Sequence, residues 1–315
     1  MDIQIIISQM LMLFAMMLTG YMVWRIGWFD EPAYQKLSKI VVNILNPILV
    51  LNGVLGKDSA GDTSLILQNL GFVVFFYLLL IAVGFLFVWI LRPVKAEKRL
   101  YRLMTIFPNV GFMGIPVITG IFGMKCMIYI VFYMLGYNLL LYTYGLALAG
   151  KAARNAGGKA ASDCAGGTWK RMINPGVLCG VAAIVIFMLR IRVPAPAANY
   201  CSYMGNATIP LSMLLIGMSI AKADLKTIFS NVRVYLYTAM KMLLLPAAMI
   251  VLLKPLPADP VIFGVFVLQL AMPVGSIVTL IAKESGADEI CCTNGIVLST
   301  LASLITIPLV CVFLS

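Results

Sequence analysis

The chain has 315 residues, of which 62% are hydrophobic and only 11% charged, with a formal net charge of +11. A soluble domain of this length needs far more polar surface, so the composition excludes an ordinary soluble fold. The positive charge does not indicate a nucleic-acid partner, because the basic residues lie in short segments between apolar runs, without a basic stripe of interleaved aromatic side chains. We therefore expect a membrane protein that is surrounded by lipid and whose basic residues report its orientation.

Ten apolar segments follow one another along the chain, each close to the length of about 20 residues that crosses the hydrocarbon core. The predicted spans are roughly residues 4–24, 39–56, 66–91, 101–122, 125–149, 172–189, 200–221, 234–253, 261–282 and 290–313. The polar residues 29–38 are predicted to lie in the membrane interface before the second span. Residues 150–171, rich in Ala, Gly and Lys, are predicted to form a linker. The chain thus divides into a first five-helix repeat at 1–149 and a second at 172–315.

The distribution of lysine and arginine predicts the orientation of these spans. If the amino terminus lies outside, 17 of the 23 basic residues fall in inner segments and only five in outer ones. The exceptions, besides an intramembrane Lys241, are Lys57, Lys125, Arg190, Arg192 and Lys254. The positive-inside rule then places both termini on the non-cytoplasmic side of the cell (inner) membrane, and the linker in the cytoplasm.

Each half has an odd number of spans, so the second half must cross the membrane in the opposite orientation to the first. Superposing the halves pairs Pro47 with Pro210 and Gly123 with Gly286, and brings the break of the fourth span onto that of the ninth. The predicted fold is therefore an all-α membrane protein of ten transmembrane helices, arranged as two inverted five-helix repeats with broken helices 4 and 9. Paired interruptions in corresponding segments indicate the binding site of a transporter.

The fourth span combines helix-breaking residues with a polar side chain. Pro108 and Pro116 flank Gly111 and Gly114, and Asn109 adds an amide. Prolines and glycines at this density break or unwind a helix, and the freed backbone groups must then be satisfied by protein or by water in a cavity. The alternative is a kinked helix whose glycines permit close packing.

The ninth span has its informative residues near its centre, namely Gln269, Pro273, Gly275 and Ser276. A single proline is common in a transmembrane helix, so the interruption gains weight only as the partner of the fourth span. Two broken helices place the amino ends of half-helices near the middle of the bilayer, where their dipoles attract an anionic group. The pair could therefore hold an anion without an arginine.

Three further polar residues are candidates for the binding site. Lys241 is the only basic residue away from the edges of a span, and an intramembrane charge is a functional hypothesis by default. The alternative interpretation is that its long aliphatic side chain extends and places the charged group among the inner headgroups. Asn138 in the fifth span and Asn294 in the tenth are weaker candidates, since intramembrane polar side chains often bond to their own helix.

Several kinds of chemistry lack the residues they need. All 12 acidic residues fall outside the predicted spans or at their edges, and the chain has no histidine. This disfavours direct protonation of a buried group as well as carboxylate-based hydrolysis. The seven cysteines include no C-x-x-C pair, so we expect no metal site and no cofactor.

Four runs resemble the auxin efflux carrier family, of the bile/arsenite/riboflavin transporter superfamily. They are Asn46-Pro47, residues 108–116 (Pro-Asn-Val-Gly-Phe-Met-Gly-Ile-Pro), residues 269–273 (Gln-Leu-Ala-Met-Pro) and residues 298–308 (Leu-Ser-Thr-Leu-Ala-Ser-Leu-Ile-Thr-Ile-Pro). The likeness covers nearly the whole chain. Its short central linker resembles the bacterial members rather than the long-looped plant ones.

The resemblance implies an architecture in which spans 4 and 9 cross at their breaks. Spans 1, 2, 6 and 7 would form a scaffold domain, and spans 3–5 and 8–10 a transport domain that moves in an elevator-type alternating-access cycle. The scaffold would join two copies as a homodimer. By motif match, the residues that would line the site are Asn109, Gly111, Gly114, Pro116, Gln269 and Pro273.

The sequence therefore favours a secondary transporter, or permease, for a small organic anion such as a carboxylate, with no enzymatic activity. The alternative is a sodium-coupled symporter of the bile-acid type, with backbone carbonyls at the crossing as ligands. A membrane-embedded enzyme or sensor is disfavoured, because no nucleophile–base pair or carboxylate pair supports catalysis. The substrate, the direction of transport and the coupling ion stay open.

Overall fold

The computed structural model describes residues 3–55, 63–155, 175–191, 193–223 and 231–314. Within these ranges the chain is helical and contains no β-strand, only an isolated bridge between Pro108 and Val274. The all-α class is thus confirmed. The predicted linker at 150–171 lies mostly outside the described residues, but its first residues, up to Asn155, continue a helix and are not loop.

The first half consists of helices joined by short turns, several of them π-helical. They are α1 (Ile3–Ile26), α2 (Glu31–Ile40), a π-turn (Val41–Leu45), α3 (Asn46–Val54), α4 (Thr63–Leu91), α5 (Lys98–Ile106), a π-turn (Val110–Gly114), α6 (Ile115–Phe122), a 3-10 turn (Met124–Cys126), α7 (Met127–Leu140), a π-turn (Leu141–Gly145) and α8 (Leu146–Asn155).

The second half repeats this use of short helices and one π-turn. Its elements are α9 (Pro175–Met188), α10 (Ala195–Asn206), α11 (Thr208–Lys222), α12 (Val232–Ala239), a π-turn (Met240–Leu244), α13 (Leu245–Leu253), α14 (Pro260–Leu270), α15 (Ile277–Glu284) and α16 (Glu289–Leu314).

The polar segment 29–38 belongs to the same continuous helix as the second span. α2 begins after Asp30, whose side chain accepts a hydrogen bond from the Ala33 N–H at 2.8 Å. Val41 keeps the helical conformation, so α2 runs directly through the π-turn into α3. Residues 31–38 are therefore helical and continuous with the second span, while their position in the membrane interface stays a prediction.

Seven helices of the described chain have the length and composition to cross a membrane. They cover Ile7–Ile26, Glu31–Val54, Ser64–Leu91, Met124–Arg154, Ala195–Lys222, Val232–Leu253 and Ile290–Leu314. Three shorter apolar helices, Val110–Phe122, Pro175–Met188 and Pro260–Leu270, fall in the predicted fourth, sixth and ninth spans. Large side chains such as Leu67 and Trp89, each 70% exposed, cover the outer faces. An apolar exterior of this kind suits lipid contact, as in a multi-pass membrane protein.

Three of the described π-turns end two residues before a proline, which is Pro47, Pro116 or Pro246. Proline has no N–H to donate one turn back, and its ring crowds the carbonyl there. The helix accommodates this by widening: the Asn46 N–H donates to the Val41 carbonyl, five residues earlier. Such π-turns recur at functional sites, and these three adjoin Asn46, the first helix break and Lys241.

The close pairing of α1 and α11 depends on glycine. A Cβ on Gly217 would overlap the carbonyl oxygen of Met17 and lie 2.9 Å from the backbone nitrogen of Tyr21. A Cβ on Gly20 would likewise overlap the Leu214 carbonyl oxygen. The two backbones therefore meet directly, as small residues allow between membrane helices.

Candidate functional site

The first break separates α5 from the π-turn that precedes α6. α5 ends at Ile106, and Phe107 and Asn109 leave the helical region with ψ angles of 76° and 64°. Pro108 between them cannot donate a helical hydrogen bond and disfavours helical geometry in the residue before it. The helix restarts after Asn109, whose side chain caps it by accepting a hydrogen bond from the Phe112 N–H at 3.1 Å. The side-chain oxygen of Asn109 thus stabilises the new helix start.

The second break separates α14 from α15. α14 ends at Leu270, and Pro273 lies in the non-helical segment that follows. The Val274 N–H, freed by the break, donates to Ser299 Oγ of α16 at 3.0 Å. Ser276 is the N-cap residue of α15, although its side chain makes no capping hydrogen bond. The interruption predicted in the ninth span is therefore a true helix end with its own polar partner.

The two breaks pair with each other through their main chains. The Asn109 N–H donates to the Pro273 carbonyl at 2.7 Å, and the Gly275 N–H donates to the Phe107 carbonyl at 2.9 Å. These bonds make the antiparallel bridge between Pro108 and Val274. Backbone groups that have left a helix inside a membrane must find partners in protein or water. Here each break supplies a hydrogen-bond partner for a free backbone group of the other.

Gly275 is required at this contact because the chains approach too closely for a side chain. A Cβ on Gly275 would lie 2.9 Å from Tyr137 Oη, 3.0 Å from the Phe107 carbonyl oxygen and 3.1 Å from the Pro108 carbonyl oxygen. Two of these neighbours are backbone atoms of the first break. Gly275 therefore serves the pairing of the two breaks.

Two buried side-chain amides face the glycines of the first half-helix. A Cβ on Gly111 would lie 3.6 Å from Asn46 Nδ2, and one on Gly114 would lie 3.0 Å from Gln269 Oε1. Gln269 is fully buried, yet neither of its amide atoms has a hydrogen-bond partner among the described residues. The same holds for Asn46 Oδ1, in a side chain that is 9% exposed. Leaving such a buried group unpaired costs about 1–3 kcal/mol, so these amides have unused hydrogen-bonding capacity.

Lys241 lies at the second break. Its side chain is fully buried, and Nζ donates to the Met272 carbonyl at 2.6 Å. That carbonyl belongs to the non-helical residues after α14, where helical acceptors are left free. The Lys241 side chain therefore does not extend toward the inner headgroups, which was the alternative interpretation. Among the buried residues of the described ranges, Lys241 is the only charged side chain.

The remaining predicted residues have other surroundings. Asn138 Nδ2 donates to the Met134 carbonyl at 2.8 Å, one turn earlier in its own helix. Asn294 is a buried residue of α16. Pro116 is buried at the start of α6, where the missing N–H is tolerated. The structure therefore brings Asn109, the glycines, Gln269, Pro273 and Lys241 to the paired breaks.

Sequence reasoning missed two side chains of this region as site residues. Asn46 was noticed only as part of an Asn-Pro pair, although an amide beside a proline in mid-span is the signal that singled out Asn109. Ser299 had no such signal, because its role depends on the Val274 N–H, 25 residues away along the chain.

The arrangement offers hydrogen-bond donors and one positive charge. Two half-helices begin at the paired breaks, after Asn109 and Ser276, and their amino ends attract negative charge. Lys241 lies beside the second break, and no acidic side chain appears among the buried residues of the described ranges. The site is chemically suited to hold a small anion.

Comparison with known proteins identifies membrane transporters as relatives of this chain. A family model described as "Membrane transport protein" matches residues 5–163 and 167–311. An "Uncharacterized transporter" of Methanothermobacter thermautotrophicus is 24% identical over 300 residues, 93% of each chain. A "Putative malonate transporter" of Rhizobium meliloti is 23% identical over 297 residues, 93% of this chain and 91% of that protein. An uncharacterized transporter of Methanocaldococcus jannaschii is 26% identical over 227 residues, 69% of each chain.

Proposed function

The chain belongs to the membrane transport protein family, that of the auxin efflux carriers, and we propose from that premise that it is a secondary transporter for a small organic anion of the carboxylate class. The single observation that carries this proposal is the pairing of the two breaks, with Asn109 N–H bonded to the Pro273 carbonyl at 2.7 Å. This pairing holds two half-helix amino ends in one place inside the membrane.

The charge balance of the site supports an anion. Lys241 is buried at the second break without an acidic neighbour among the buried residues of the described chain. A buried cation with only a neutral carbonyl partner is costly, and an anionic ligand would compensate it. The name of the Rhizobium meliloti relative mentions malonate, a small dicarboxylate, which is consistent with this class.

The transport domain and scaffold that we propose follow the division implied by the family resemblance. Ten spans in two inverted repeats are the seven long helices together with the three shorter ones, and spans 4 and 9 cross at the breaks. The tight α1–α11 pair and the packing of α9 and α10 against α3 support a scaffold of spans 1, 2, 6 and 7. Spans 3–5 and 8–10 would then carry the substrate in an elevator-type motion.

The scaffold would also form a homodimer, and the basic residues would place both termini on the non-cytoplasmic side of the cell membrane. These two assignments rest on the resemblance and on the charge distribution respectively. They complete the proposed arrangement of a permease whose partners are lipid, a second copy and a small anion.

Sodium coupling of the bile-acid symporter type is the alternative, and Lys241 weighs against it. A sodium ion at the crossing would need free carbonyl oxygens. The Met272 carbonyl, one of the candidates, already accepts a hydrogen bond from Nζ of Lys241. An ammonium group thus occupies a position that a coupling ion would otherwise take.

The test begins with the purified protein and a series of small carboxylates, including acetate, propionate, lactate, malonate and succinate. A ligand that binds the folded state stabilises it by RT ln(1 + [L]/Kd), so the unfolding temperature rises with the ligand concentration. A carboxylate that stabilises the protein is then used in counterflow experiments with proteoliposomes. We expect Asn109→Ala to abolish counterflow and the exposed, matched Asn206→Ala to retain it. Unchanged counterflow in Asn109→Ala would remove the proposed site.

A further inference from the structure

A cavity opens beside the turn between α4 and α5, at the start of α5 rather than at its broken end. Its volume is about 440 Å³, within the range of about 300–1,000 Å³ that is usual for ligand pockets. The nine residues of α5 separate the turn from Phe107, where the first break begins. The cavity is therefore distinct from the proposed substrate site. Its lining residues are Phe85, Val88, Trp89, Arg92, Pro93 and Lys98.

The side of the cavity formed by α4 is apolar. Phe85, Val88 and Trp89 are three and four residues apart, so they share one face of the helix. The Phe85 ring is held by Arg102, whose guanidinium carbon lies 3.6 Å from the ring centroid and whose Nη2 donates to Tyr144 Oη. The Trp89 side chain is exposed at the end of its helix, and tryptophan at this place is typical of the headgroup level of a membrane. This side of the cavity therefore suits contact with lipid.

The side of the cavity formed by the turn carries two positive charges. Arg92 and Lys98 are exposed, and within the described residues neither side chain makes a hydrogen bond or an ion pair. None of the described lining residues is acidic. Glu97, the neighbour of Lys98 in the sequence, has its electrostatic interactions with Arg233 and Asp288 instead. The cavity thus offers two cationic groups without a counter-charge.

The backbone of Arg92 adopts an uncommon conformation at the edge of this cavity. Proline disfavours right-handed helical geometry in the residue before it, so Pro93 explains why α4 ends at Leu91. Arg92 itself has a φ angle of 44°, in the left-handed region that residues with a side chain rarely adopt. Such conformations persist where the surrounding structure holds them, and they are frequent at ligand sites. The turn thereby places a cationic side chain directly where the apolar helix ends.

We propose that this cavity binds one anionic phospholipid, whose phosphate contacts Arg92 and Lys98 and one of whose acyl chains lies along Phe85 and Trp89. Arginine binds a phosphate through two parallel hydrogen bonds, and lysine adds a point charge. An apolar wall beside two cations matches an acyl chain joined to a charged headgroup. A soluble phosphate would use the two charges and leave the aromatic wall unused. A membrane lipid is the occupant that uses both.

The experiment measures lipid binding to the purified, full-length protein in detergent by native mass spectrometry. Phosphatidylglycerol and phosphatidylcholine with the same acyl chains share the phosphate, but only the first has a net negative charge. We expect phosphatidylglycerol to bind at least about tenfold more tightly, because each basic residue at a lipid headgroup contributes about a factor of five. Combining Arg92→Gln with Lys98→Gln should reduce this preference to less than about threefold.

The matched control combines Lys36→Gln with Lys39→Gln. It removes two exposed charges from α2, on the side of the membrane where the charge distribution also places the α4–α5 turn. This variant should keep the native preference for phosphatidylglycerol. Equal affinity for the two lipids in the native protein, an unchanged preference in the Arg92 and Lys98 variant, or an equal loss in the control overturns the proposal.

Two further measurements distinguish a lipid from a soluble phosphate and locate it. Glycerophosphoglycerol, the same headgroup without acyl chains, should not displace phosphatidylglycerol even in large excess; displacement would assign the cavity to a soluble phosphate. Phosphatidylglycerol with brominated acyl chains should quench tryptophan fluorescence more than brominated phosphatidylcholine does, and Trp89→Phe should abolish the difference. A difference that is absent in the native protein or persists in Trp89→Phe overturns the proposed position, whether or not the charge variants fold.

Discussion

The ammonium nitrogen of Lys241 lies 2.6 Å from the carbonyl oxygen of Met272, 31 residues further along the chain. One residue comes from the π-turn that precedes Pro246, and the other from the break after α14. The contact connects two irregular segments whose departures from α-helical geometry have separate local causes. It also places the only charged side chain found among the buried residues of the described chain at the proposed site.

We predict that Lys241→Met abolishes transport without loss of folding. Methionine fills a similar volume and removes the cost of a buried charge, and replacing buried ionic groups by apolar ones is often neutral or stabilising. Transport should fall at least about tenfold, because the site loses its positive charge. Counterflow in proteoliposomes measures the first effect, and thermal unfolding of the purified protein measures the second.

The matched control for this prediction is Lys254→Met, at an exposed lysine just after α13. This variant should transport at the native rate. Native-rate transport by Lys241→Met would show that the buried charge has no part in substrate binding.

In the native protein, replacing sodium with N-methylglucamine at fixed membrane potential should leave the transport rate unchanged.

Gly217→Ala should destabilise the folded protein. The added methyl group would overlap the Met17 carbonyl oxygen and force α1 and α11 apart. Overpacking of this kind costs about 1–3 kcal/mol, and backbone neighbours yield less than flexible side chains. The midpoint of thermal unfolding reports the loss. At Gly71 in α4, where an added Cβ meets nothing within 4 Å, the same substitution should be neutral or slightly stabilising. A Gly217→Ala variant as stable as Gly71→Ala contradicts the close pairing of the two helices.

Gly275→Ala should separate the paired breaks and lower the transport rate. Its Cβ would lie about 3 Å from two backbone oxygens of the first break, which cannot move without losing the Gly275 N–H bond to Phe107. We expect transport to fall about tenfold or more, since a displacement of 1 Å at a site can have that effect. The control is Gly150→Ala, where an added Cβ meets nothing within 4 Å. Counterflow at equal rates in both variants would contradict the role of the pairing.

Glu97 should make the stability of the protein depend on pH. It lies in the turn before α5, outside the membrane-spanning helices, and one carboxylate oxygen is buried without a hydrogen-bond partner. Burial raises the pKa of this carboxyl above its usual 4.5; Arg233 opposes the shift and Asp288 adds to it. Because the folded state holds the proton to higher pH than the unfolded chain, stability falls as the pH rises through the interval between the two pKa values.

Glu97→Gln keeps this side chain neutral at every pH. The stability advantage of the variant over the native protein should therefore grow as the pH rises above the usual carboxyl pKa of 4.5. Thermal unfolding of both proteins across this range measures the difference. A constant difference would mean that the carboxyl titrates alike in the folded and unfolded states.

Much of the local structure follows from the residue sequence. The breaks at Pro108 and Pro273 were predicted because proline removes a helical donor, and they occur there. Pro308, by contrast, lies inside the unbroken α16. The continuation of α2 into the second span was not predicted. The polar residues 29–38 resemble an interfacial segment, and only the unbroken backbone through Val41 shows that they begin a longer helix.

The candidate site was predicted in part. What the sequence did not show is the hydrogen-bond partner of each polar side chain. Asn109 was chosen for its amide in mid-span, but its function as a helix cap depends on the restart of the helix at Val110, two residues before Phe112. Asn138 had the same signal and bonds to its own helix instead. Asn46 was not chosen, although its unpaired oxygen makes it the stronger candidate.

The sequence by itself determined that the chain is an all-helical membrane protein, where its helices break and which residues are polar at mid-span. Hydropathy, the missing N–H of proline and the backbone freedom of glycine all act within about one turn of helix. Only the tertiary structure decided that Asn109 meets Pro273, that Lys241 meets Met272 and that the amides of Asn46 and Gln269 lie beside Gly111 and Gly114. Those contacts join residues far apart along the chain, and their geometry is set by the packing of whole helices, for which no local pattern exists.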